Sequence, residues 1–193
     1  MARRRRAVLI AGPTASGKSA LALARAREMG GMIVNADAMQ VYGVLRVLTA
    51  RPGPEELAEV PHRLYGTVSP AERFSTGAWV EAVKPVLAEA EATGATPVFV
   101  GGTGLYFDAL TGGFADVPTI PQSVVSEVEA DLAGLDAAGR GALIAARDPE
   151  MARRLKAPDP QRVARALTVL KATGKSLAWF QDREQQGLLH DFE

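Results

Sequence analysis

The hydrophobic positions in the N-terminal half of the chain form short runs separated by polar and glycine-rich segments. Three of these runs, residues 7–11, 32–34 and 96–100, have the length and composition of buried strands. Residues 20–27 lie between the first two runs and have helix-forming composition, and a Gly-Gly pair follows where that helix should end. The alternation of strand and helix predicts an α/β fold, a P-loop NTPase-like parallel sheet with helices on both faces.

The rest of the chain adds a loop region and a series of helices. Residues 49–74 are rich in proline and lack clear periodicity, which predicts a loop, whereas residues 75–94 have helical spacing between a serine N-cap and a final glycine. Helical spacing returns later and is clearest between Asp159 and Gly174. We therefore divide the chain into an α/β core, a helical insertion and a return towards the core, which comprise residues 1–117, 118–180 and 181–193.

Composition and charge narrow the functional classes. Cysteine is absent and two histidines are present, which excludes thiolate chemistry, disulfides and a histidine-based metal cluster. Arg3 to Arg6 resemble the charged start of a signal peptide, but the apolar run behind them is too short for export or a membrane span. We expect a cytoplasmic, monomeric enzyme without membrane contact. Residues 1–30 carry a net charge of +6 and residues 147–175 carry +5, which is compatible with a polyanionic partner or with a solvated helix face.

A glycine-bounded loop after the first strand carries the strongest motif. It follows the G-x-x-x-x-G-K-[ST] pattern of phosphate-binding loops and lies between a strand and a helix. Backbone N–H groups and the helix N-terminus would surround a di- or triphosphate, Lys18 would pair with its terminal phosphates, and the Ser19 hydroxyl would ligate Mg²⁺. The predicted phosphate-binding residues are Gly12, Pro13, Thr14, Ala15, Ser16, Gly17, Lys18 and Ser19.

The ends of the second and third strands supply further candidates. Ligands of parallel α/β sheets lie beyond the carboxyl ends of the strands, so Asp37 should face the phosphate loop as a general base or metal ligand. A helix N-cap is the alternative role for this aspartate. The third strand ends in two glycines and Thr103, and lacks the aspartate that many P-loop ATPases have there. This difference favours group transfer from a bound diphosphate or triphosphate over nucleotide hydrolysis.

Several motifs taken together closely resemble the tRNA dimethylallyltransferases. They are GPTASGKS at 12–19, NADAMQVY at 35–42, TARP at 49–52, PHRL at 61–64, GGTGLY at 101–106 and DPQR at 159–162. The resemblance implies transfer of a dimethylallyl group from dimethylallyl diphosphate to N6 of the adenosine 3′-adjacent to the anticodon, within the anticodon stem-loop of tRNA. It also implies that the phosphate loop holds the diphosphate, with Mg²⁺ on Ser19.

The same resemblance implies roles for individual residues. Asp37 would be the general base that accepts a proton from the adenine amine, and Lys18 and Thr103 would be further catalytic residues. The residues in contact with tRNA would be Asp37, Ala38, Met39, Gln40 and Thr103 in the core, and Gln161, Arg162, Val163, Ala164 and Arg165 in the insertion.

Two departures from the family pattern bear on activity. Ser123 stands where family members often have an arginine, and members usually continue beyond the last residue of this chain, with a catalytic arginine and further helices. We therefore expect the core formed by these residues to be incomplete at its C-terminus. Three alternatives stay open: an adenylate isopentenyltransferase, a small-molecule or nucleotide kinase that uses ATP with Arg153 and Arg154 as a lid, and a non-catalytic fragment that only binds tRNA.

Overall fold

The computed structural model describes residues 5–193, so Arg3 and Arg4 of the N-terminal basic run lie outside the described residues. The described residues form two compact units. The first comprises the chain up to Phe114 together with Gln186–Glu193, and the second comprises Ala115–Gln185. No helix among residues 5–193 has the length and apolar character needed to cross a membrane.

The first unit contains, in the described part of the chain, a parallel sheet of four strands in the order β1-β4-β2-β3. The strands are β1 (Val8–Ala11), β2 (Gly31–Asn35), β3 (His62–Arg63) and β4 (Thr96–Gly101). Val100 of β4 lies opposite Ile10 of β1 on one side and Asn35 of β2 on the other. The carboxyl ends of these three strands therefore coincide, and the segments that follow them meet at one edge of the sheet.

Helices pack on both faces of this sheet, as the hydrophobic pattern predicts. The helices of the first unit are α1 (Lys18–Met29), α2 (Pro54–Glu59), α3 (Thr76–Thr93) and α4 (Gly104–Thr111). Successive strand residues point to opposite faces. Val34 packs with Trp79 of α3 and Leu110 of α4, whereas its neighbour Ile33 packs with Ala22 of α1.

The segment 49–74 differs from the predicted loop, because it contains both α2 and β3. Pro54 occupies the first turn of α2, where its fixed φ suits the helix and its missing N–H costs nothing. β3 pairs in parallel with β2, with His62 opposite Ile33. The prediction of a loop throughout is therefore wrong, since a helix of six residues and a strand of two are too short to produce a measurable periodicity.

The second unit is helical. Its helices are α5 (Gln122–Leu132), α6 (Ala137–Arg147), α7 (Pro149–Arg154), α8 (Pro160–Thr173) and α9 (Leu177–Gln181). The carboxylates of Asp136 and Asp159 cap α6 and α8 by accepting backbone N–H bonds of 2.7 and 2.9 Å. Val128, Ile144 and Leu167 from three of these helices pack together in the core of the unit.

The last residues of the chain return to the first unit. The N–H of Leu189 donates to the Leu110 carbonyl at 2.9 Å. Phe192 forms a parallel bridge with Arg5, and the N–H of Ala7 donates to the Glu193 carbonyl at 2.9 Å. These final residues therefore run beside the outer edge of β1.

Candidate active site

The loop between β1 and α1 lies at the carboxyl edge of the sheet and is open to solvent. Gly17, which precedes α1, has a φ of +80°, and Ala15 has a φ of +63°. A residue with a Cβ in this left-handed region is strained, and such strain concentrates at ligand-binding sites. A Cβ at Gly12 would come within 2.9 Å of the Ser16 Oγ atom. The loop thus folds back on itself while Thr14 and Ser16 stay exposed to a ligand.

Lys18 lies across this loop. Its Nζ atom donates to the Pro13 carbonyl at 3.0 Å, and within residues 5–193 it has no carboxylate partner. A phosphate oxygen is a stronger acceptor for an ammonium than a neutral carbonyl, because its negative charge adds Coulomb attraction to the hydrogen bond. The lysine is therefore available to an anion in the loop.

Ser19 is exposed in the first turn of α1, next to Lys18. Within the part of the chain that the structure describes, no group of three or more histidine, cysteine, aspartate or glutamate side chains is arranged to hold a metal ion. Mg²⁺ commonly takes one or two protein ligands and completes its shell with phosphate oxygens and water. The donor set therefore fits a magnesium ion shared between Ser19 and a diphosphate.

Asp37 lies beside the phosphate loop, with Gly102 between them. A Cβ at Gly102 would lie 3.4 Å from the Gly12 carbonyl oxygen and 3.6 Å from the Asp37 Oδ2 atom. The N–H of Gly12 also donates to the Gly101 carbonyl at 3.3 Å, which joins the loop to the end of β4. The structure thus brings the predicted carboxylate and the predicted phosphate loop to the same place.

The two carboxylate oxygens of Asp37 have different surroundings. Oδ1 accepts the N–H of Met39 at 2.9 Å, which closes a turn of the type that aspartate commonly forms. The residues after Asp37 form turns, and the next helix, α2, begins at Pro54, so the alternative role as a helix N-cap is excluded. Oδ2 is the oxygen that faces Gly102 and the loop.

Thr103 connects the ends of β2 and β4. Its Oγ1 atom accepts the N–H of Ala38 at 2.9 Å, and its own N–H donates to the Ala36 carbonyl at 3.2 Å. Only glycine fits at position 101, because a Cβ there would lie 2.1 Å from the Ala36 carbonyl oxygen. The hydroxyl hydrogen of Thr103 remains available to a ligand at this edge.

Asn35 holds the backbone of Asp37 in place and is not among the site residues predicted from the sequence. Its side chain is completely buried. The Nδ2 atom donates to the carbonyls of Asp37 at 2.9 Å and Leu64 at 3.1 Å, and Oδ1 accepts the N–H of Asp37 at 2.9 Å. Its backbone carbonyl accepts the Trp79 indole N–H at 3.0 Å. A polar residue at the end of a wholly apolar strand is the sequence signal that could have found it.

Two tyrosines, Tyr106 and Tyr65, lie close enough to Asp37 for its charge to act on their phenols. Tyr106 stacks on Trp79, with ring centroids 4.1 Å apart and planes 9° apart. Burial, with smaller contributions from Tyr42 and Asp37, raises the pKa of Tyr106 to about 12. Burial also raises the pKa of Tyr65, to which the charge of Asp37 contributes. Both phenols therefore stay protonated at neutral pH and add no negative charge beside Asp37.

The residues expected to contact adenine differ in availability. Met39 is exposed, whereas Ala38 is half-buried and its N–H is bonded to Thr103. The Nε2 atom of Gln40 donates to the carbonyls of Thr49 at 2.8 Å and Ala50 at 3.3 Å. The amide nitrogen of Gln40 therefore holds the following loop, and only its oxygen is left for a base.

In the second unit, the predicted RNA contacts lie on the first turns of α8. Gln161, Arg162 and Arg165 are exposed, and the two guanidinium groups have no carboxylate partner within residues 5–193. Partial loss of hydration lowers the pKa of Arg165. Val163 is completely buried in the core of the unit and Ala164 is half-buried. The Val163 side chain therefore faces the core, as its helical spacing indicates, and the contact of this residue with tRNA that the resemblance implies stays a prediction.

The arginines considered as a kinase lid lie in α7, in the second unit. Arg154 donates to Asp182 and to Glu150, each at 2.9 Å, so its guanidinium is already paired inside that unit.

Comparison with known proteins agrees with the geometry. A sequence profile of the family described as IPP transferase matches residues 40–192, and a profile described as isopentenyl transferase matches residues 5–72. A tRNA dimethylallyltransferase of Methylocella silvestris is 55% identical over 177 residues, which cover 92% of this chain and 58% of the relative. Another, of Rhodopseudomonas palustris (strain BisB18), is 59% identical over 180 residues, which cover 93% of this chain and 57% of the relative.

A solved structure supports the fold. It is a eukaryotic dimethylallyltransferase acting on tRNA, similar with a TM-score of 0.77 and 24% identity over 95% of this chain and 46% of that one. The chain spans about three fifths of the length of the curated relatives that it matches. These relatives are named as transferases, which gives the kinase alternative no support. The profile match over most of its length shows that the chain belongs to the IPP transferase family.

Proposed function

We propose that these residues form the diphosphate-binding and base-accepting part of a tRNA dimethylallyltransferase. The enzyme would transfer a dimethylallyl group from dimethylallyl diphosphate to N6 of the adenosine 3′-adjacent to the anticodon and release diphosphate. The family and the names of the relatives support this reaction. The position of the Asp37 Oδ2 atom supports this reaction most directly, because this oxygen faces the open phosphate loop across Gly102.

The loop would bind the diphosphate. Its N–H groups and the positive N-terminal end of α1 favour an anion there. Lys18 would exchange the Pro13 carbonyl for a phosphate oxygen and stabilise the charge that develops on the leaving diphosphate. Ser19 would hold Mg²⁺ together with the diphosphate, and the bound ion would neutralise part of the same charge.

Asp37 would act as the general base. The bond between adenine N6 and the allylic carbon forms as the bond from that carbon to the diphosphate oxygen breaks, and the amine proton passes to a carboxylate. Oδ2 is the suitable acceptor, because Oδ1 is occupied by the N–H of Met39. A base positioned in this way contributes about 10²- to 10⁴-fold to such a rate.

The tRNA would supply an extruded adenine to the first unit. Extrusion costs a few kcal/mol, and least in a loop that is already single-stranded. In this proposal Met39, which is exposed, contacts the base, and the exposed side chains of Gln161, Arg162 and Arg165 in α8 bind the backbone of the anticodon stem-loop. We further propose that the enzyme works as a monomer in the cytoplasm.

The proposal is tested with the full-length protein, isotopically labelled dimethylallyl diphosphate and an anticodon stem-loop RNA. Mass spectrometry of the digested RNA should find one prenylated adenosine, and Asp37→Ala should abolish it. Phosphoryl transfer from ATP to a small acceptor would instead establish a kinase. RNA binding without any transfer would establish a non-catalytic binding protein. For the 193-residue chain alone we expect weak diphosphate binding and little turnover.

A further inference from the structure

The second unit exposes an aromatic ring with two cations against it. Trp179 of α9 is 38% exposed, the Nζ atom of Lys175 lies 3.6 Å from its ring centroid, and the Cζ atom of Arg183 lies 4.6 Å from it. The adjacent Phe180 is buried. We call Lys175, Trp179 and Arg183 the basic–aromatic patch.

Among residues 5–193, the cations of the patch have no acidic partner. Neither forms an ion pair within the described residues, and the neighbouring Asp182 is paired with Arg154 instead. Since both distances are measured from one centroid, the two positive charges lie within about 8 Å of each other. Two unpaired like charges this close repel, and an anion bound beside them would relieve the repulsion.

The core of the second unit does not account for the patch. Its buried cluster includes Val163, Leu167 and Ala178, whereas Trp179 lies outside it. An exposed tryptophan supplies a large flat surface with little rotamer entropy to lose, which is why such residues concentrate at binding surfaces. Within the described residues, the patch therefore combines an exposed aromatic ring with two cations that have no carboxylate partner and are held only against that ring.

We propose that the basic–aromatic patch is a second RNA-binding surface of the helical unit. On binding, Lys175 and Arg183 leave the faces of the Trp179 ring for phosphates on either side of an unpaired nucleotide, and the base of that nucleotide stacks on the ring. This inference rests on the proposed function, because the RNA is the same tRNA substrate. An acidic peptide would use the cations but not the stacking surface, so RNA fits the patch better.

The basic–aromatic patch would add an RNA contact to the one proposed for Gln161, Arg162 and Arg165 on the first turns of α8. Arg162 lies in the first turn of α8 and Lys175 just past its last residue, so the two positions are about 20 Å apart along the helix axis. The two basic regions would therefore contact different phosphates. Each phosphate contact in single-stranded RNA adds about 0.7 to the slope of log K against log salt concentration.

The experiment measures binding of an anticodon stem-loop RNA to the full-length protein over a range of salt concentrations. The double variant Lys175→Ala/Arg183→Ala should reduce the salt slope by about 1.4. Trp179→Ala should weaken binding about tenfold, as expected for one lost stacking contact. The matched control is Arg147→Ala/Lys171→Ala, which removes two charges from the same unit that are already paired with Asp131 and Glu127. It should leave the slope unchanged.

Fluorescence provides an independent readout. The chain has two tryptophans, and Trp79 is completely buried. RNA should quench the exposed Trp179, and the conservative change Trp179→Phe should remove this signal while preserving the fold and most of the stacking.

The outcomes separate the two proposals. If the wild-type protein binds RNA and the patch variants match the control, the patch is not an RNA surface and the proposed function stands. If the patch variants lose affinity for a polyglutamate peptide but not for RNA, the surface serves an acidic protein and the proposal is wrong. If the wild-type protein neither binds nor prenylates the RNA, the proposed function itself is wrong.

Discussion

Replacing Asn35 by alanine tests how the Asp37 carboxylate is held in position. The substitution removes three side-chain hydrogen bonds, two to Asp37 and one to Leu64, at a position without solvent exposure. At about 1 kcal/mol for each bond, the free energy of unfolding of the first unit should fall by roughly 3 kcal/mol. The N–H and carbonyl groups that stay buried without a partner add a desolvation cost to this loss.

Urea unfolding with fluorescence detection measures this change. In a Trp179→Phe background, the remaining Trp79 reports the first unit alone, and its indole still donates to the unchanged backbone carbonyl of residue 35. Lys84→Ala, which alters an exposed i,i+3 ion pair with Glu81, is the control and should change stability by less than about 0.5 kcal/mol. A loss below about 1 kcal/mol for Asn35→Ala would refute the argument.

The kinetic readout separates positioning from simple destabilisation. If Asn35 acts through Asp37, Asn35→Ala should lower kcat for prenyl transfer while KM for dimethylallyl diphosphate stays close to that of the wild type. Asn35→Asp keeps the shape but places a carboxylate opposite two carbonyl oxygens. Burial raises the pKa of such a carboxyl, so this variant should gain stability as the pH falls and the group regains an O–H donor. If Asn35→Asp lowered the free energy of unfolding by the same amount at all pH values, this explanation would be wrong.

Three further outcomes follow from the structure. Lys18→Ala should weaken binding of inorganic diphosphate about tenfold in calorimetry of the 193-residue chain, because a charge-assisted hydrogen bond is lost. An unchanged affinity would show that the loop binds diphosphate without Lys18. Gly101→Ala should destabilise the first unit strongly, because its Cβ would lie 2.1 Å from a backbone carbonyl. Gly102→Ala should leave the stability unchanged and lower kcat, because its Cβ would fill the gap beside Asp37. Equal stabilities of the two variants would contradict this contrast. Burial lowers the pKa of His62 below its ordinary 6.5, so its contribution to stability is complete above that value and is lost as the pH falls towards the lowered pKa. In His62→Gln this part of the pH dependence of thermal unfolding should disappear.

The phosphate loop and Asp37 could be predicted from sequence because their positions depend on local rules. A strand, a glycine-bounded loop and a helix give a phosphate loop its shape, and parallel strands bring their carboxyl ends to one edge. Because the carboxyl ends of β1, β4 and β2 coincide in the sheet, Asp37 lies beside Gly12.

Other features depend on contacts between distant residues and left little trace in the sequence. Asn35 holds Leu64, which is 29 positions away, through a buried amide. β3 forms only by pairing with β2, and its own two residues have no periodicity to detect. Val163, by contrast, could be assigned to the buried face of α8 from its helical spacing with Leu167, and it lies in the core of the second unit. Trp179 could be recognised as part of a candidate binding surface only from the structure, in which Lys175 and Arg183 lie against its ring.

The single-turnover rate of prenyl transfer by Asp37→Asn tests the central claim most directly. The asparagine keeps the size of the side chain and its bond to the Met39 N–H, but it cannot accept the amine proton. We predict a rate at least about 100-fold below that of the wild type, with unchanged affinity for the anticodon stem-loop RNA and for diphosphate. A rate within a few-fold of the wild type would show that another group accepts the proton.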